Sequence, residues 1–377
     1  MSFDLAEFGR KLRNYREQRQ VTLDELGPGT GIANERLAEL EAGAATPTGD
    51  EVLILADFFQ CDYRFFISNE KLAAFQQTES LYRKFGDEFS KNDRRSIQEF
   101  FFLCECEAFL LSELKREFDS FTFTPSGTYY KGHGQDAAKA LRRHFKYKAN
   151  EVPSDVYADF RRLGFHVFRR SLENSNISGL TIQHPWAGTC ILVNYSEDIY
   201  RQRFTAGHEG AHGILDRGDD VIVSFNKKTK DYIELRANTF SSHYLLPLEF
   251  IDQIPVQVWN QAETIRWASQ LKVSTTALAI ALKERGKIDD PEVKQLSQVR
   301  VPAHEKVDPE LANLEEIPAR RKEELLRRGL STFYVGLCFE AWNNGLISTG
   351  RVAEMLLVDD FEIWSIAELF NARPVAQ

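Results

Sequence analysis

Two of the chain's eight histidines stand four residues apart in "FTAGHEGAH", and a glutamate directly follows the first. On a helix, residues four apart share a face, so His208 and His212 can aim ring nitrogens at one ion. Glu209 then sits beside them, placed to take a proton from a water activated at that ion without ligating it. This HExxH arrangement suits metal-assisted hydrolysis. Two protein ligands hold a metal weakly, so a working site needs a third downstream. "DYIELRANTFSSHYLLP" (231–247) offers Glu234, on a helical segment whose Leu235, Phe240, Leu245 and Leu246 can anchor it. Asn238, one turn later, shares the face of Glu234 and can bond back to a ligand. Asp216, one turn after His212, and Asp231 are further carboxylates able to orient an imidazole. His243 is half a turn out of phase with Glu234 and is not expected to ligate. Tyr232 and Tyr244 could each polarise a substrate carbonyl, and nothing in the sequence selects between them.

These residues need a helix for the histidine pair, a second helix for Glu234, and a scaffold to face them. "DAAKALRRHFKY" and "PSDVYADFRRLG" read as helices, "FHVFRRSL" and "GLTIQH" alternate like strands, and "TCILVN" is a short apolar strand. The result is an α+β domain. "TCILVN", just before the histidine helix, is placed like an edge strand on which a peptide could align by strand addition. The basic run Arg142, Arg143, Lys146, Lys148, Arg161, Arg162, Arg169 and Arg170 reads as a solvated face, with an anion, an acidic partner or nucleic acid as the alternative. The Gly, Ser and Pro-rich loop "TFTPSGTYYKGHGQ" marks the domain boundary before it.

Toward the N-terminus the chain is helical. Leu5, Phe8, Leu12 and Tyr15 recur at helical spacing, and "TLDE" (22–25) has the form of a capping box. "NERLAELEAG" is a short helix closed by Gly43, and "PTGDEVLILADFFQ" supplies another. Short helices with a Gly-containing turn between the second and third suggest a helix-turn-helix. Gly27-Pro28-Gly29 is expected to remove the last turn of the second helix. Residues 1–68 carry seven basic side chains against twelve acidic, and Glu35, Glu39 and Glu41 accompany Arg36 on the third helix. That balance opposes phosphate contact. "NDRRSIQEFFFLCECEAFLLSELK" follows, with Ile97, Phe101, Cys104, Ala108, Leu111 and Leu114 on one wide stripe and Asn92 or Asp93 as its start signal. Such a stripe suits a bundle or a homodimer. After residue 290, "PAHEKVDPEL" is linker-like, and "STFYVGLCFEAWNNGLISTGRVAEMLLV" pairs two helices as a packing cap.

A chain of 377 residues is too long for one core. The expected division is 1–70 helix-turn-helix, 71–125 helical connector, 126–290 α+β domain and 291–377 helical region. The net charge of -9 argues against a general nucleic-acid coat but leaves room for a small DNA reader. Five scattered cysteines without CxxC spacing read as thiols in a reducing cytosol. No apolar run approaches a membrane span, so a cytoplasmic protein is expected.

"FTAGHEGAHGIL" followed by "ELRANTFSSHYLLP" resembles the ImmA/IrrE metallopeptidase family over roughly residues 135–260. Residues 5–68 resemble the XRE (Cro-type) repressor domain that a subgroup of the family carries, and 80–115 its connecting helix. The resemblance implies a gluzincin-like fold with Zn2+ held by His208, His212 and Glu234, Glu209 as base and Asn238 in support. It implies an endopeptidase acting on a repressor-like transcription factor in stress, phage or mobile-element responses. It also implies DNA contacts at Thr22, Asn34 and Arg36, although Leu23 stands where the XRE pattern has a polar DNA-contacting residue. A DNA-binding transcription regulator with a structural or vestigial zinc site is the alternative.

Overall fold

The computed structural model describes residues 3–59, 63–67, 81, 88–218, 221–225, 232–256, 258–306 and 308–372. Five helices open it: α1 (Leu5–Gln18), α2 (Leu23–Thr30), α3 (Asn34–Glu41), α4 (Gly49–Phe59) and α5 (Tyr63–Ile67). They enclose their own core of Phe8, Leu12, Leu26, Leu37, Leu55 and Phe59. The Thr22–Glu25 capping box forms as its spacing predicts. Contrary to expectation, α2 runs through Gly27-Pro28-Gly29 and ends at Gly31 in the left-handed region (φ 71°). A capped N-terminus and a left-handed glycine stop hold the short helix together around its proline. Glu41 also departs from expectation: it turns inward, where Arg16 grips it through two bonds of 2.6 and 2.9 Å. The surface of α3 is correspondingly less acidic than its sequence.

The long helix α6 (Lys91–Glu113) starts at Ser90, whose side chain caps Asp93 N, so Asp93 is the third helical residue and not the cap. Lys91 pairs with Glu25 of α2 at 2.6 Å, and Arg19, just past the end of α1, bonds to Gln98, tying the five-helix unit to α6. Most of the expected stripe is buried, with Ala108 and Leu114 partly so. Next, α7 (Tyr130–His144) begins inside the stretch expected to be loop, and α8 (Val156–Arg162) leads into the sheet.

The sheet comprises β1 (His166–Arg170), β2 (Ile177–His184), β3 (Gly188–Asn194) and β4 (Val221–Phe225), in the order β1-β3-β2-β4. β1 is parallel to β3, while β2 is antiparallel to both β3 and β4. The strand "TCILVN" is therefore interior and not an edge, because its parallel pairing with β1 fills the side left open by the β2–β3 hairpin. β4, which sequence reasoning passed over, lies at the outer edge.

Side chains alternate across the sheet, and helices bury both faces. Phe168, Leu180, Ile182 and Leu192 share one core with α6 and with the C-terminal helices α15 (Glu316–Arg327), α16 (Thr332–Asn343), α17 (Thr349–Leu356) and α18 (Ile363–Leu369), which follow six further described helices in the chain. Val167, Ile191 and Val193 face the opposite core. There α7 and α8 meet α9 (Ile199–Leu215), α10 (Tyr232–Leu245), α11 (Leu248–Gln253), α12 (Gln261–Leu271), α13 (Thr275–Glu284) and α14 (Asp290–Gln298).

The basic run is a solvated face only in part: Arg143, Lys146, Lys148 and Arg162 are exposed, whereas three of its arginines turn inward. Arg142 is buried against the carbonyls of Tyr244, Lys148 and Glu151, Arg169 against Asp308, and Arg170 against Glu99. These cations brace the interior, and "PAHEKVDPEL" is tied to it through Asp308. No described helix is long and apolar enough to cross a membrane.

Candidate metal centre

The histidine pair sits on α9, whose residues from Thr205 to Ile214 are all buried. Three glycines allow that burial. A Cβ on Gly207 would come within 2.6 Å of Ser241 Oγ, one on Gly210 within 2.1 Å of the Phe160 ring, and one on Gly213 within 2.7 Å of the Phe165 ring. The helix thus packs closely on α10, on α8 and on the residues leading into β1. Opposite it, α10 carries Glu234, with Phe240, Leu245 and Leu246 anchoring that region. Leu235 does not help, being 37% exposed, because it lies on the outer side of α10.

These two helices bring His208, His212 and Glu234 together, with one potential ligand atom from each lying within 4.8 Å of the others. The Nε2 atoms of the histidines are 3.1 Å apart, and the two Glu234 oxygens stand 3.3 and 3.4 Å from them. Each imidazole is held from behind. Asn238 Oδ1 accepts from His208 Nδ1 at 3.1 Å, and Asp216 Oδ2 accepts from His212 Nδ1 at 2.8 Å. Asp216 is fixed in turn by Arg236. With both Nδ1 atoms donating, neutral rings present Nε2 lone pairs toward each other and toward a carboxylate. Such a set of converging acceptors fits a cation.

Electrostatically the three groups are coupled to one another. Burial opposes charge on His212, but Asp216 and Glu234 outweigh it and push its pKa up to about 9. Burial likewise opposes ionisation of Glu234, yet the two imidazoles hold it well below the usual carboxylate range. These shifts record the attraction between the imidazoles and the carboxylate, and a cation bound there would take the place of the proton on His212.

Glu209 stays outside the converging trio. Its side chain is 0% exposed and turns toward β2, where Thr181 Oγ1 donates to Oε2 at 2.6 Å. Its Oε1 is buried without a hydrogen-bond partner among the described residues. Gly179 makes room for this carboxylate, since a Cβ there would lie 2.8 Å from Oε1 and from Leu192 O. Burial raises the Glu209 pKa, and the nearby imidazoles oppose that rise.

Sequence reasoning missed Thr181, Gly179, Arg236 and Ser224, whose Oγ is 3.1 Å from His208 Nε2. The apolar, β-branched run "VIVSF" was the available signal for β4 and hence for Ser224. Of the two tyrosines, Tyr244 is buried with its hydroxyl donating to Asp159 at 2.6 Å, away from the trio. Tyr232 is 64% exposed and stacks on Tyr130 with ring centroids 5.1 Å apart. His243 pairs with Glu284 at 3.7 Å and is not among the trio, as its phase predicts. Asp231 lies outside the described residues.

In the N-terminal unit, Thr22 is occupied in its capping box and Asn34 Nδ2 donates to Asp24 at 2.7 Å. Arg36 is clamped by Glu51 at 2.8 and 2.9 Å and also donates to Thr46 O.

Residues 160–283 match the family model of the IrrE N-terminal-like domain of the M78 peptidases. Residues 7–63 match that of a helix-turn-helix domain. The peptidase match starts in α8 and extends through most of α13, beyond the 135–260 span of the motif resemblance at its C-terminal end. No curated protein matches the chain.

Proposed function

We propose that this chain, with the ImmA/IrrE architecture of a metallopeptidase-type domain behind a helix-turn-helix domain, is a zinc-dependent endopeptidase that cleaves a repressor-type transcription factor. The observation that carries the peptidase reading is the convergence of His208, His212 and Glu234 while Glu209 stays clear of them. His208, His212 and Glu234 are the ligands in this gluzincin-like reading. Zinc, when bound, supplies Lewis acidity that polarises a scissile carbonyl and acidifies water. Asn238 and Asp216 hold the imidazoles in the tautomer that leaves Nε2 free to ligate. Glu209 takes a proton from the attacking water and returns it to the leaving amine, while Thr181 fixes its Oε2. The substrate backbone pairs with the outer edge of β4, which brings Ser224 beside His208.

The helix-turn-helix domain and a protein substrate suit a regulator of transcription in the cytoplasm, in a stress, phage or mobile-element response. DNA contact through Thr22, Asn34 and Arg36 would require these side chains to release the partners that each already has within the unit.

The test is Glu209→Gln beside His208→Ala, with zinc content, partner cleavage and reporter transcription as readouts. Glu209→Gln is expected to keep its zinc and fold and to lose cleavage by at least about a hundredfold. His208→Ala is expected to lose both metal and cleavage. Full biological output from Glu209→Gln, with none from His208→Ala, would instead make zinc structural and the protein a DNA-binding regulator.

A further inference from the structure

A second polar cavity lies between the catalytic-type domain and the C-terminal helices, on the side of α9 that precedes the histidines. It is lined by Tyr157 and Arg161 of α8, Arg169 of β1, Arg203 of α9, and Asp308 and Ser331 from the C-terminal region, among others. Its volume is about 50 Å³. One water needs roughly 10–15 Å³ by such a measure, so the space suits a single tetrahedral oxyanion and not a whole nucleotide.

Three arginines and three carboxylates line the cavity, but they are not paired one to one. Arg169 is matched by Asp308 at 2.5 Å. Glu310, also at the wall, is taken by Thr332 and by Lys322 at 3.5 Å. Asp155 is exposed and caps the first turn of α8. Arg203, only 4% exposed, donates to the carbonyls of Pro153 and Ser154. Arg161 donates to Val167 O and Ser331 Oγ. Neither guanidinium has a carboxylate within ion-pair distance among the described residues. Arg203 Nε, Arg161 Nε and Tyr157 Oη are buried and lack hydrogen-bond partners among those residues. Buried cations and hydroxyls in that condition are costly unless something satisfies them.

We infer that this cavity binds a phosphate group, with Arg161 and Arg203 supplying charge and Tyr157 a hydroxyl donor. A planar carboxylate offers two oxygens and one charge, whereas a phosphate presents four oxygens and up to two charges to donors on both α8 and α9. The group is either the free ion or the phosphate of a small phosphomonoester. Because Arg203 lies five residues before His208 on one continuous helix, the bound anion would brace the segment that carries the two histidines of the metal trio.

The test is calorimetric titration of the full chain with inorganic phosphate and, separately, with ribose 5-phosphate, at constant ionic strength against chloride. One saturable site per chain is expected for at least one probe, and a preference between them identifies the free ion or the ester as source. Tyr157→Phe, which leaves the ring packing intact, and Arg203→Lys, which keeps the charge but loses the guanidinium fork, should each weaken binding about tenfold. Hydrogen exchange should slow over 154–161 and 199–203 when the probe binds. Absence of saturable binding by both probes, undiminished affinity in both variants, or protection confined to other regions would overturn the site.

Discussion

At the level of single residues, the centre is built so that each donor has one remaining direction in which to act. His208 and His212 were legible from their spacing, and Glu234 and Asn238 from the next helical segment, because ligands on helices obey a fixed period. Thr181 and Ser224 were not, since they reach the site from strands whose pairing no local pattern reveals. Asp216 shows how far this orienting chain extends: it touches His212, and Arg236 touches Asp216. Replacing Asp216 with Asn keeps the shape but removes the charge that fixes the His212 tautomer. Metal affinity is expected to fall about 10- to 100-fold, with the helical signal unchanged. Competition for zinc with a chelating dye would measure it, and wild-type affinity in Asp216→Asn would mean the contact is incidental.

At the level of elements, the trio depends on how closely the α7, α9 and α10 backbones approach. The capping box of α2 and the main helices were readable because caps and amphipathic stripes are local signals. The edge of the sheet was misplaced because strand order is decided by partners distant in sequence, and "TCILVN" gives no hint that β1 lies parallel beside it. The early start of α7 at Tyr130 was obscured by its glycines, yet Gly134 is there for contact and not for a turn. A Cβ on Gly134 would lie 2.4 Å from Arg236 O and 2.9 Å from Phe240 N, both backbone atoms of α10. Backbone cannot rotate aside as a side chain can, so Gly134→Ala must push α7 away from the helix bearing Glu234. A loss of about 1–3 kcal/mol is expected in chemical denaturation. Metal affinity should fall along with it, and an unchanged midpoint would show that the two helices can separate freely.

At the level of the whole molecule, α6 and the C-terminal helices are part of the sheet's own core. Apolar stripes in the sequence announced that these helices would be buried but could not name what buries them. Phe168 of β1 packs edge-on against both Phe100 of α6 and Tyr334 of α16. Residues 126–290 expressed alone would expose that face, so they are expected to aggregate where the full chain stays soluble. Light scattering of the two proteins would decide it. The same junction contains a polar contact with a definite pH signature. His166 of β1 donates from Nδ1 to Glu107 Oε1 of α6 at 2.9 Å, with both residues buried. Burial disfavours the imidazolium, but the Glu107 carboxylate more than compensates, with the Cys190 thiol nearby adding to it, and the His166 pKa is raised. A histidine raised on folding stabilises the fold fully below its unfolded value, about 6.5. That contribution disappears as pH climbs through the higher folded value. Glu107→Gln keeps an acceptor but removes the charge, and metal-site histidines, present in both proteins, cancel in the comparison. The melting-temperature advantage of the wild type over Glu107→Gln should therefore be largest near pH 6 and shrink toward pH 9. A gap that stays constant or widens over that range would mean His166 is neutral in the folded protein and the contact an ordinary hydrogen bond.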